Sequence, residues 1–258
     1  MEKTEIEIPM PPEEQAEIFA PSSPYRRPIV VLGLLLALTL FLSWLPDNQR
    51  HELWQAILIQ RKLMVGMLLF ALLSVSLLWA RGQQLDNSIF LFINLRGRRP
   101  RWLDAAMWVL TQIGSGILAV GLAFFLFFSR QRSLALEIIL GTITMGLLTE
   151  SVKILISRAR PFILHANIRI IGWREPGHSF PSGHTAQAFF FMTVVINQFG
   201  WSTSTAVLLY GVATLVALTR MYVGMHFPRD VIGGAILGIS WGLMFLLIDP
   251  FWHTWFAF

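Results

Sequence analysis

The chain has 258 residues, of which 55% are hydrophobic and only 14% charged, where a soluble domain of this size carries about a quarter charged residues. That balance points to a membrane protein, and the net charge of +5 then speaks for headgroups, phosphates or topology signals and not for nucleic acid. The absence of cysteine excludes disulfides, zinc thiolates and thiol redox chemistry.

In chain order, the opening M-E-K-T-E-I-E-I-P-M-P-P-E-E is acidic and proline-rich. It reads as a disordered tail over 1–28 and lacks the basic start of a secretory signal. A membrane span takes roughly 17–25 mostly apolar residues. Candidates lie at 29–45, 63–80, 105–128, 134–157, 185–199, 204–218 and 231–247. All are assigned as helices, because open sheet edges cannot face lipid. Residues 87–95, between Arg81 and the run R-G-R-R-P-R at 96–101, are too short to cross and read as an amphipathic segment in the interface. The expected organisation is the tail (1–28), an extra N-terminal membrane segment and connection (29–62), a membrane core (63–248) and a short C-terminal tail (249–258).

Counting crossings brings three polar clusters to one membrane face. The opposite face has short turns, among them S-R-Q-R at 129–132, which suits a cytoplasmic turn. The cluster face is then extracytoplasmic, although R-G-R-R-P-R on that face argues the other way. Seven spans place the tail outside; six would place it inside.

The first cluster is K-I-L-I-S-R-A-R-P. Lys153 and a helical residue at 160 would share a face, but Pro161 disfavours helix at Arg160. A lysine this close to lipid either snorkels or works. Glu150 precedes it by three residues and is a structural partner for it. Arg158 falls off the shared face and reads as a headgroup anchor.

The second cluster is P-S-G-H, Pro181 to His184. Proline and serine mark a helix start, and unpaired first-turn amides with a positive dipole end bind phosphate. Gly183 removes a side chain that would block an anion. Alone, the tetrapeptide is no more than a helix cap. His178, His165, His51 and His253 read as exposed.

The third cluster is T-R-M-Y-V-G-M-H-F-P-R-D. Pro228 opens the last span, so Asp230 lies in its first turn and can fix the tautomer of His226. The bland reading is an interfacial histidine and a helix-stabilising aspartate. Arg220 adds a cation, Arg229 points to headgroups, and Tyr222 is an interfacial aromatic. Together the clusters hold what phosphoryl transfer needs: cations, an amide cradle, a nucleophile and an acid. No carboxylate set suggests magnesium and no His-x-x-x-His pair suggests zinc, so a metal-free, cofactor-free reaction is expected.

The sequence resembles the type 2 phosphatidic acid phosphatase superfamily of integral membrane lipid phosphatases. Its signature is Lys-x6-Arg-Pro, Pro-Ser-Gly-His and Ser-Arg-x5-His-x3-Asp. Lys153, Arg160 and Pro161, then Pro181 to His184, then Arg220, His226 and Asp230 match it. Thr219 replaces the usual serine. The resemblance covers about 85–247 and implies an all-α polytopic bundle: a six-helix phosphatase core plus an extra N-terminal span. It also implies roles. His226 would be the nucleophile, oriented by Asp230; His184 the general acid; Lys153, Arg160, Ser182, Gly183 and Arg220 the phosphate binders. The implied substrates are lipid phosphates or diphosphates, such as undecaprenyl pyrophosphate, phosphatidylglycerophosphate, phosphatidic acid or lipid A. The competing readings are a phosphotransferase using an acceptor lipid and a non-catalytic binder of anionic lipids.

Overall fold

The structure is a computed structural model; it describes residues 26–255 except 96 and 98. The expected tail up to residue 25 lies outside the described residues. Among these, every regular element is helical: α1 Arg26–Trp44, α2 Asp47–Ile59, α3 Arg61–Ser76, α4 Ala80–Leu95, α5 Arg101–Thr111, α6 Gly116–Phe128, α7 Arg132–Ile156, the single turn α8 Pro161–Leu164, α9 Gly183–Gln198, α10 Thr203–Tyr222 and α11 Pro228–Trp255. The chain is an integral membrane protein. The apolar helices α7, α10 and α11 are each long enough to cross alone, and five crossings result when each of two bent pairs counts as one.

The bent pairs correct one expectation and extend another. The span read at 105–128 is α5 and α6, joined by a 3-10 turn and bent by 58° at Gly114–Ser115. Ser115 then caps α6 by accepting from the Leu118 amide at 3.2 Å, so a polar residue inside an apolar run starts a new helix. The interfacial segment read at 87–95 is the second half of α4, which leaves α3 at 96°. Two of its polar groups turn inward: Asp86 and Asn94 are buried with Phe90, and Asn94 Nδ2 donates to the Arg169 and Tyr222 carbonyls. The last helix continues to Trp255, past the start of the C-terminal tail read from the sequence.

Helices α9 and α11 form the most extensive pair. Gly234, Gly238 and Gly242 of α11 recur every four residues along it. A Cβ on Gly234 or Gly238 would fall 2.5 Å from the Ser182 carbonyl or 2.3 Å from that of Ala186. Small residues let backbones approach where lipid offers no hydrophobic drive. This contact locks the start of α9 beside the start of α11, and the Ser182 amide donates to the Asp230 carbonyl at 3.0 Å. The end of α7 joins them through the Ser179 amide, which donates to the Arg158 carbonyl at 2.8 Å.

Candidate active site

Local sequence explains each placement. Helix α7 stops at Ser157, whose φ of 53° is left-handed. Arg160 is extended (φ −79°, ψ 158°) and opens α8 with Pro161 at its first position, as the residue before proline should. Lys153 therefore stays on α7 while Arg160 swings in from the following loop. Ser182 caps α9, accepting from the Thr185 amide and hydroxyl. The Thr219 hydroxyl back-bonds to the Val216 carbonyl at 2.6 Å within α10, where serine would serve as well. This brings Arg220 to the end of α10 and His226 into the turn before α11.

The pieces meet around one carboxylate. Glu175 pairs with Arg220 through Oε1 and with Arg160 Nη1 through Oε2 at 3.2 Å. Its Oε1 lies 3.7 Å from His184 Nδ1. Arg160 Nη1 also reaches His226 Nε2 at 3.4 Å. Arg160 is collared by the carbonyls of Pro176 and Gly177 on its other nitrogens, and Arg220 Nη1 donates to Thr111. Both guanidiniums and the His226 ring are about 1% exposed or less, while the His184 side chain is 25% exposed.

His226 Nδ1 is 2.8 Å from the Ser179 carbonyl. A carbonyl only accepts, so Nδ1 carries the hydrogen and Nε2 presents a lone pair toward Arg160. Burial first, then Arg160 and Arg220, push His226 well below the usual imidazole range, against the opposing pull of Glu175. The ring is neutral at neutral pH. Burial alone would raise Glu175, but Arg220 and Arg160 hold it well below the usual carboxylate range. It is an anion.

Asp230 is one step removed from the role expected of it. Its carboxylate stands 3.8 Å from His226 Nδ1. It accepts instead from Ser179 Oγ at 2.5 Å and the Phe227 amide at 2.8 Å, so it fixes the residue whose carbonyl fixes His226. It also accepts from Arg158 Nη1 at 2.5 Å. That corrects the headgroup assignment of Arg158, which is buried, bonds Asp86 at 2.5 Å and lies 4.6 Å over Phe227. Arg229 is corrected likewise: its Nε donates to Asp86 at 2.7 Å and its Nη1 to the Ser76 carbonyl at 2.6 Å. Two buried carboxylates near two arginines make pairing far cheaper than solvating either partner in lipid. Tyr222 is buried too, donating to Asp104 at 2.5 Å beneath Arg99, and His165 is half-buried beside Phe90 and Phe227.

Lys153 Nζ donates to Glu150 at 2.7 Å, as read from the sequence, and both line a cavity of about 320 Å³. Glu175, Gly183 and His184 line the same cavity, with Gly114, Gly116, Gly146 and Thr149. Ser182 is less available than expected: its amide serves Asp230 and its hydroxyl serves the cap. The Gly183 and His184 amides remain at the helix mouth. Arg160, His184, Arg220 and His226 thus surround Glu175, with Lys153 and Gly183 on the adjoining cavity, while Glu175, Ser179 and Asp86 join them without belonging to any of the three clusters. Glu175 had a signal, being the only acid between Arg158 and Ser182.

Residues 134–253 match the PAP2 superfamily, and the chain belongs to it. The undecaprenyl-diphosphatase of Sulfolobus acidocaldarius is 27% identical over 178 residues, 68% of this chain and 84% of that protein. Among solved structures, Aquifex aeolicus LpxE superposes with a TM-score of 0.55 at 33% identity, covering 63% of this chain and 94% of its own. The transmembrane PAP2-type phosphatidylglycerolphosphate phosphatase of Bacillus subtilis gives 0.61 at 27%, covering 76% of this chain and 98% of its own.

Proposed function

We propose that this protein is a membrane phosphatase that hydrolyses a lipid phosphate or diphosphate through a phosphohistidine on His226. The observation that carries the reading is the tautomer: the Ser179 carbonyl takes the Nδ1 hydrogen and leaves Nε2 as a nucleophile beside Arg160. The relatives named above act on undecaprenyl diphosphate and phosphatidylglycerolphosphate, which supports the substrate class.

In the reaction, Nε2 attacks phosphorus in line and the bond to the leaving oxygen breaks. His184 gives that oxygen its proton. Water then attacks the phosphohistidine, the P–N bond breaks, and His184 takes the water's proton. Arg160, Arg220, Lys153 and the first-turn amides of α9 meet the charge on the equatorial oxygens. That charge is carried by protein cations, so the reading needs no metal. Asp230 acts by positioning Ser179 and the α11 start.

The active end faces the extracytoplasmic side of the cell membrane in this reading. The S-R-Q-R turn lies at the far end, before α7. The R-G-R-R-P-R run opposes this orientation less than its charge suggests, because Arg99 is folded over Tyr222 and bonded to the Ile93 carbonyl. The test is inorganic phosphate release from a panel of lipid phosphates in detergent or vesicles, with and without acceptor lipid. Release without acceptor is expected; phosphate appearing only on the acceptor would make it a phosphotransferase, and no turnover would leave a binder.

A further inference from the structure

The open cavity and the buried nucleophile have different walls. His184, Lys153 and Gly183 line the cavity, but His226, Arg160 and Arg220 do not. The residue common to both sides is Glu175: it borders the cavity and binds both guanidiniums. Its two oxygens sit on the two arginines as two equatorial oxygens of a phosphoryl group would, with one facing His184. It is the most exposed member of this ion cluster apart from His184, at 21% of its side chain. The loop behind it is anchored, since the Pro176 and Gly177 carbonyls hold Arg160 and Trp173 packs edge-on to Trp108. The movable part is the Glu175 side chain.

We infer that Glu175 is a tethered stand-in for the substrate phosphate, which shields His226 in the empty site and is displaced from Arg160 and Arg220 when substrate enters. This rests on the phosphate site proposed above. Two buried guanidiniums next to a neutral imidazole need a counter-ion between turnovers, because unpaired buried charge is costly. The incoming dianion replaces it, and the released carboxylate remains within reach of His184. Oxyanion affinity is then reduced by the fraction of time Glu175 occupies the arginines. A site competent one-tenth of the time binds about tenfold more weakly than an open one.

The experiment measures the inhibition constants of orthovanadate and inorganic phosphate against lipid-phosphate hydrolysis. It compares wild type, Glu175→Gln and Glu175→Asp. The expected result is an inhibition constant roughly tenfold lower for Glu175→Gln and an intermediate fall for Glu175→Asp, whose shorter arm holds the arginines less well. Should Glu175→Gln not fold, the fall in Glu175→Asp carries the test. A carboxylate that merely props up the arginines would instead give weaker inhibition in both variants. Unchanged or weaker inhibition, with wild type inhibited and active, overturns this inference alone. A wild type that neither turns over nor binds oxyanions overturns the phosphate site and this inference with it.

Discussion

Gly183→Ala separates the chemistry of the α9 amides from the stability of the fold. A Cβ at Gly183 would meet only Thr149 Cγ2, at 3.8 Å, which is ordinary contact. The protein therefore has room for the methyl group, and a helical alanine gains about 0.5–1 kcal/mol over glycine. Gly183 and Thr149 both line the cavity, so the methyl would take up space beside the first-turn amides, where the oxyanion has to approach. Losing one preorganised oxyanion donor costs about 10²–10³ in turnover, or roughly 2.7–4 kcal/mol. The assay pairs thermal unfolding in detergent with kcat and kcat/KM for phosphate release. Unfolding should be unchanged or shifted slightly upward while turnover falls by about two orders of magnitude. Gly114→Ala is the contrast: its Cβ would lie 2.2 Å from the His184 carbonyl, so both fold and activity should suffer. Near-normal turnover in Gly183→Ala would refute the amide cradle, and a large loss of stability would refute the claim of room.

Further outcomes follow from the same geometry. Arg158→Ala leaves Asp86 and Asp230 short of a buried cation, and a destabilisation of about 3–5 kcal/mol is expected, read as earlier unfolding in a detergent or denaturant titration. His184→Ala and His226→Ala should abolish turnover with unfolding temperatures near wild type; full activity in either would contradict its role. Burial and the neighbouring guanidiniums hold folded His226 well below the ordinary imidazole range, so its contribution to stability is present above about pH 6.5 and is lost as pH falls toward the folded value. Unfolding curves between pH 7 and 5 should show that loss, and a His226→Gln variant should show less of it. Activity should persist in excess chelator; loss on chelation, restored by magnesium, would contradict a metal-free reaction.

The helices and the three clusters were legible because each rests on local signals: apolar run length, Ser and Pro at helix starts, and ordered spacing. Arg160, His184, Arg220 and His226 meet around Glu175, and Lys153 lines the adjoining cavity. What escaped was pairing across the bundle. Arg158 and Arg229 look like headgroup anchors because each flanks a span, and only α4 folding back at 96° brings Asp86 between them. Asp230 looked like the direct partner of His226, four residues away, because spacing cannot show that the Ser179 carbonyl gets there first. The break at Gly114–Ser115 was invisible within an uncharged run, although Gly114 and the Ser115 cap mark it once the close approach to His184 is known. Glu175 stands alone in its loop, where a carboxylate is usually solvated, and only the closing of the three clusters around it gives it partners.

The most direct test of the account is the identity of the phosphorylated atom during turnover. Wild-type protein mixed with a radiolabelled lipid phosphate, quenched in alkali within milliseconds and mapped by mass spectrometry, should carry phosphate on Nε2 of His226. Phosphate on Nδ1 or on another residue, or steady turnover with no labelled protein at any quench time, would contradict it.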